Sequence, residues 1–345
     1  MKHRTIRYDR GLFYLCLLAV FWAIGLLYAG AYTTSIQAGM AFLDWPLSNS
    51  SINPEGWLTN EDMRAEHSHR LLGASFGLLS IALIVWTQLR EGRRWIRQLA
   101  VGFFAVLLAQ GLLGGMRVLF DQLNTGADHN LAGQTFCVLH ASGAQITVCV
   151  LATLTFATSH FWFKAGNTSL TLSPSTRTFG LIATLTLFIQ IVLGAVMRHA
   201  QAGMAIPTFP LTPEGSLLPA LWSFPVTVHW LHRLGAVFAT VAILLFIGKL
   251  LSFPDARRRF SMLAMAVVIL LGLQIFLGAA TIWTQKNPAI ASTHMLVGAF
   301  LLTTTWVLTL ATYRFPIRKS RSDETTQAQP NKPIPSNASV HTIAH

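Results

Sequence analysis

The sequence predicts an all-α membrane protein whose eight transmembrane helices form two tandem pseudo-symmetric four-helix bundles. Three observations predict this. Of 345 residues, 52% are hydrophobic and 11% charged, against about 25% charged in a soluble globular chain, and the mean hydropathy is +0.50. The apolar residues fall in eight continuous runs, and a block of the first half recurs in the second. An ordinary cytosolic enzyme is excluded. So is a transmembrane β-barrel, because the runs show no dyad alternation.

Taken in order, the runs span 11–34, 71–89, 99–117, 134–159, 178–197, 228–251, 260–283 and 289–313. Each matches the roughly 20 residues that cross a bilayer as a helix. The first follows the basic flank MKHRTIRYDR and has no small-residue cleavage site, so it reads as an uncleaved span. With the N-terminus inside, nineteen of the 25 Lys and Arg fall on cytoplasmic segments; Arg64, Arg70, Arg117, Arg198, Arg233 and Lys286 lie at or beyond the outer ends. The positive-inside rule therefore places both termini in the cytoplasm of a multi-pass protein of the cell (inner) membrane. That asymmetry accounts for the net charge of +12 without a nucleic-acid partner. Residues 316–345 are polar and proline-containing and read as a disordered cytoplasmic tail. Cys16, Cys137 and Cys149 all sit in apolar runs, which leaves no disulfide framework and no zinc site of CxxC type.

The repeat organises the chain. GlnAlaGlyMetAla occurs at 37–41 and 201–205, followed by Pro-Leu at 46–47 and 210–211. Farther on, GluHisSerHisArgLeu at 66–71 lies over HisTrpLeuHisArgLeu at 229–234, and His140 over His294. Each half thus has four helices and one long outer loop, at about 35–63 and 198–225. The halves are 1–163 and 164–315. A four-helix repeat keeps its orientation, so the pseudo-symmetry axis runs along the membrane normal.

His69, His140, His232 and His294 sit in the second, fourth, sixth and eighth spans, each near the outer entrance. A single histidine at such a place is usually an interfacial or hydrogen-bonded residue. Four at matching depths and matching repeat positions instead suit two axial ligand pairs, each gripping a porphyrin iron from facing helices. Zinc would want four ligands close together. His67 lies on another helix face, and His3, His129, His160, His199, His341 and His345 receive no role.

Glu66 precedes His69 by three residues, on the same side of a helix, where the second half carries His229. A carboxylate there is retained for proton handling or for pairing with Arg64 or Arg70. Arg70 and Arg233 directly follow the ligands and offer bidentate clamps for haem propionates, with snorkelling to headgroups as the other reading; Arg117 and Arg198 offer the same. Gly111, Gly114, Gly115, Gly272 and Gly278 serve close helix packing or room for a ring. Trp45, Trp57 and Phe209 read as an interfacial belt.

This pattern resembles the haem A synthase family, membrane enzymes that convert haem O into haem A for terminal oxidases. The match rests on GluHisSerHisArg at 66–70 with His140, on HisTrpLeuHisArg at 229–233 with His294, and on the repeated outer loops, over about residues 11–313. The resemblance implies that His232 and His294 hold a haem b cofactor in the C-terminal half. It further implies that His69 and His140 face the substrate haem O in the N-terminal half, and that Glu66 is the essential carboxylate. The family oxidises a porphyrin methyl group by successive hydroxylations and loss of water to a formyl group. Glu66 then moves a proton or stabilises positive charge at that carbon. The family context also implies the haem O synthase and an electron donor as partners, the haem sites lying toward the outer (periplasmic) side and a homo-oligomer as an option. Some members carry a cysteine pair in the first outer loop; the loop 35–63 has none, which matches the branch lacking it. Two other classes remain as alternatives: a dihaem b-type, quinol-linked electron carrier that leaves its haem unchanged, and a transporter with a His and Glu proton relay.

Overall fold

A computed structural model describes residues 8–127, 130–165 and 172–315. The tail expected at 316–345 lies outside the described residues, as do His3, His129, His341 and His345. Among the described residues the regular secondary structure is helical, with a single isolated β-bridge between Ser48 and Ser51.

Ten α-helices follow in order: α1 (Arg10–Ser35), α2 (Glu61–Arg90), α3 (Arg94–Leu119), α4 (Gln122–Thr125), α5 (Leu131–Thr158), α6 (His160–Ala165), α7 (Pro174–His199), α8 (Phe224–Leu251), α9 (Pro254–Trp283) and α10 (Pro288–Arg314). All but α4 and α6 are long and apolar enough to cross a membrane, which gives the eight expected spans. Caps set their starts. Asn60 accepts from the Met63 amide, Asn130 from Gly133 and Asn287 from Ala289, while α7, α9 and α10 begin on proline.

The largest departure from the sequence reading is α2, which begins at Glu61 and not near residue 71. Its first turns are polar and carry no hydropathy signal. They are helical because Asn60 caps them and because Glu61 and Asp62 sit at the positive end of the helix dipole. Glu66, His69 and Arg70 are therefore inside a helix and not at its frayed entrance.

Contacts run around two closed rings. In the first, α1 packs on α2, α2 on α3, α3 on α5, and α5 on α1; in the second, α7, α8, α9 and α10 follow the same order. Each ring closes around its own apolar core, one centred on Leu12, Phe76, Leu83, Phe103 and Leu151, the other on Leu187, Ile243, Phe246, Val267 and Leu308. The rings meet through α1 on α10 and through α5 on both α7 and α10. α10 is accordingly the most enclosed span, with 56% of its apolar window buried, against 22% for α1, α2 and α3. Exposed side chains such as Phe21, Leu78 and Met262 make the apolar outer surface that lipid would cover.

Candidate functional site

Each of the four singled-out histidines lies against a glycine of the neighbouring helix in its ring. A Cβ placed on Gly30 would come 2.7 Å from Cε1 of His69, one on Gly114 3.1 Å from His140, one on Gly194 2.9 Å from His232, and one on Gly278 3.1 Å from His294. The glycines make room for an imidazole where any larger residue would fill the space. Gly114 and Gly278 thus do what the sequence suggested, whereas Gly115 receives the Trp45 indole, and Gly111 and Gly272 meet no side chain.

His69 on α2 and His140 on α5 come from helices that face each other across the first ring. Their ring centroids are 6.5 Å apart and their planes stand at 85°. That gap is what one metal atom fills with two His–metal bonds of ~2 Å each, once the half-widths of the two rings are added. His140 Nδ1 donates to the Gln110 carbonyl at 3.0 Å, which turns Nε2 toward the gap. Nδ1 of His69 and of His294 are buried with no hydrogen-bond partner among the described residues. His232 on α8 and His294 on α10 stand on non-neighbouring helices of the second ring, within electrostatic reach of each other. Among the described residues, no group of three or more His, Cys, Asp or Glu is gathered for a bare metal ion. The donor chemistry therefore fits paired axial ligands of a macrocycle better than a zinc site.

Glu66 is 3% exposed. One carboxylate oxygen pairs with Arg70 Nη2 at 2.6 Å and the other accepts the Phe42 amide at 3.1 Å, so the pairing weighed from sequence is present. Arg70 also donates to the carbonyls of Asp44 at 2.7 Å, Phe42 at 3.3 Å and Leu47. In the second ring, Arg233 donates to the carbonyls of Ile206 at 2.9 Å, Thr208 at 2.5 Å and Pro210 at 3.3 Å. Both guanidiniums thus strap an outer loop to the helix that carries a histidine. The loops have matching backbones as well: Gln37 and Gln201 are left-handed, with φ of 61° and 54°, and the Trp45–Pro46 and Phe209–Pro210 peptides are both cis.

Arg117 donates to the Gly39 carbonyl at 2.7 Å and closes the first loop over α3. Arg198 crosses between the rings, donating to the Ala31 carbonyl at 2.8 Å and Ser35 Oγ at 2.7 Å on α1 and touching Met295 Sδ on α10. His67 points away from His69, with Nδ1 2.9 Å from Ser48 Oγ and its ring edge-on to Trp57. Trp45 and Trp57 are thus packed against Gly115 and His67, contacts that the interfacial reading did not specify.

A family model described as COX15-CtaA, cytochrome oxidase assembly protein, matches residues 59–306. The chain belongs to this family. The matched segment runs from just before α2 into α10 and contains all four histidines and Glu66. Among curated relatives, the COX15-CtaA chain is 30% identical over 234 residues to the Heme A synthase of Symbiobacterium thermophilum, covering 66% of this chain and 69% of that one. It is 28% identical over 304 residues to the Heme A synthase of Geobacillus kaustophilus, covering 85% and 90%. With the Heme A synthase of Erythrobacter litoralis the identity is 30% over 261 residues, covering 70% and 71%.

Several residues of this COX15-CtaA site escaped the sequence reading. Gly30 and Gly194 were passed over, as were Gln110, Gln190 and Gln274, each four residues before one of the cradle glycines. The signal was available, since Gln-x-x-x-Gly occurs at 110–114, 190–194 and 274–278, always one span before a ligand-candidate histidine. His199, given no role, ends α7 beside Arg198, Arg117 and His140.

Proposed function

We propose that this chain is a haem A synthase, a membrane oxidoreductase that takes haem O as substrate and oxidises its porphyrin methyl group to the formyl group of haem A. The observation that carries the reading is the pair of histidines on non-neighbouring helices of each four-helix ring, in a chain whose relatives bear that name. A bound haem supplies the iron chemistry that no side chain can.

The chain's own residues divide the work between two duplicated bundles. His69 and His140 hold the substrate in 1–163, and His232 and His294 hold a resident haem b in 164–315. Glu66, one helical turn before His69, handles a proton or stabilises positive charge at the reacting carbon. Its fixed position between Arg70 and the Phe42 amide gives it the orientation such a role needs. Four of the five N–H donors of Arg70 are committed to the loop and Glu66. Its contribution to binding, and that of Arg233, is to hold the loops over the haems, with the Arg70 Nε–H left for a propionate. The excess of Lys and Arg on one side supports a cytoplasmic position for both termini, with the haems near the periplasmic surface.

Extraction of the pigments from cells expressing the chain with a haem O supply tests this. Haem A is expected from the wild type and haem O alone from Glu66→Gln. Formyl haem at wild-type levels in Glu66→Gln sinks the role of Glu66; haem never reaching the formyl state in the wild type leaves a dihaem electron carrier. A preparation without a Soret band defeats both.

A further inference from the structure

Where α2 enters the apolar layer, an open cavity of about 280 Å³ lies between α1 and α2. Tyr28 and Tyr32 line it from α1, and Glu61, Arg64 and Ser68 line it from α2. The two phenol rings are stacked, with centroids 6.4 Å apart and planes at 18°, and Tyr32 Oη donates to Glu61 Oε1 at 2.9 Å. Arg64 donates to the Leu58 carbonyl at 3.1 Å. Opposite charges three residues apart on a helix ordinarily pair. Among the described residues, however, Glu61 and Arg64 form no ion pair with each other or with any other side chain, and Ser68 Oγ makes no hydrogen bond. A carboxylate, a guanidinium and a hydroxyl therefore stand open around one cavity.

The second ring shows that the fold does not need these groups. Under the repeat that sets Gly30 over Gly194 and His69 over His232, the five positions are Val192, Val196, Phe224, Thr227 and Leu231. No charge is left there. An interfacial belt accounts for the two tyrosines, but not for a carboxylate and a guanidinium kept apart beside them.

Order along the helix identifies the occupant. Ser68 lies deepest, Arg64 one turn farther out and Glu61 outermost; deeper still, Gly25 leaves open space, and Phe21 and Leu71 are 72% and 42% exposed. Apolar surface, then hydroxyl and guanidinium, then carboxylate and aromatic faces match the acyl chains, phosphodiester and ammonium of a lipid taken in the same order. Three residues of helix set Glu61 and Arg64 about 4.5 Å apart along the axis, the scale of a two-carbon bridge between phosphate and ammonium. We propose that this cavity binds the headgroup of a phospholipid bearing a primary ammonium, of the phosphatidylethanolamine class. The phosphate sits on Arg64 and Ser68, and the ammonium on Glu61 and the tyrosine faces.

The test uses the full chain, delipidated in detergent, with lipid retention read by native mass spectrometry after addition of dioleoyl phosphatidylethanolamine, phosphatidylcholine or phosphatidylglycerol. The wild type is expected to keep the ethanolamine lipid most strongly, because a choline headgroup cannot donate to Glu61 and a glycerol headgroup carries no cation. Arg64→Gln should weaken retention about fivefold, the factor one basic side chain supplies toward lipid phosphate. Glu61→Gln, which can still accept from Tyr32, should erase the preference for the ethanolamine over the glycerol headgroup. Asp62→Asn, one residue on but outside the cavity lining, should change neither. Equal retention of the three lipids by the wild type, or an ethanolamine preference that survives Glu61→Gln, overturns the inference. So does competition by soluble glycerophosphoethanolamine at the concentration of the lipid, which would make the cavity a site for a free phosphoester.

Discussion

Glu66 and His229 perform the same backbone task in the two rings: Glu66 accepts the Phe42 amide at 3.1 Å, and His229 Nδ1 accepts the Ile206 amide at 3.2 Å. Phe42 and Ile206 occupy the same place in the repeated loops, and each acceptor is 3% exposed. The first ring therefore has a carboxylate where the second uses an imidazole for the same anchoring. Anchoring alone does not require the charge.

That separation makes Glu66→His an informative substitution, because it installs the acceptor the second ring already uses. The outer loop is expected to stay in place and pigment to stay bound, while formyl haem disappears from the extracts. Glu66→Ala is expected to do more damage. It leaves Arg70 without its counter-charge in a setting only 12% exposed, a change that costs about 3 kcal/mol or more for a buried pair. Thermal unfolding in detergent should rank wild type, Glu66→His and Glu66→Ala in that order of stability.

The glycine cradle predicts a contrast along one helix. Gly30→Ala brings a methyl group within 2.7 Å of the His69 ring and should cost about 1–3 kcal/mol through overpacking, with loss of one pigment. Gly25→Ala meets nothing within 4 Å and should leave the spectrum unchanged, with a stability gain of up to ~1 kcal/mol from helix propensity. Absorption spectra and melting curves of the two variants decide.

Ligand assignment is testable by stoichiometry. His232→Ala or His294→Ala should remove one haem and spare the other, and His69→Ala or His140→Ala should remove the complementary one. The double variant His69→Ala with His232→Ala should be colourless. Haem per chain by the pyridine haemochrome method reads this directly.

Asp44 supplies a pH dependence outside the membrane. Its partial burial raises the pKa, but the amides of Ser50 and Asn49 and the Arg70 guanidinium outweigh that, so the carboxyl titrates below its ordinary value of 3.8. A lowered folded pKa means that the stabilisation of the loop is complete above the ordinary value and is lost as pH falls through the folded one. Hydrogen exchange at the Asn49 and Ser50 amides should therefore be flat near neutrality and accelerate in acid. Asp44→Asn should abolish that acid dependence.

Much of this protein was legible from local pattern. Eight apolar runs gave eight spans, since hydropathy over a window is a property of the chain alone. The recurrence of GlnAlaGlyMetAla and of the two His-Arg pairs marked residues that take equivalent places in the two rings. Register along the chain carried that information.

What the sequence could not supply was the identity of neighbours. In a bilayer the lipid-facing and core-facing sides of a helix are both apolar, so the contrast that orients a helix in water is missing. Only the packed rings decide that His69 meets Gly30 and His140, and that Arg70 spends its donors on loop carbonyls. The polar first turns of α2 were hidden for the complementary reason: a cap and a helix dipole made them helical, and hydropathy is blind to both.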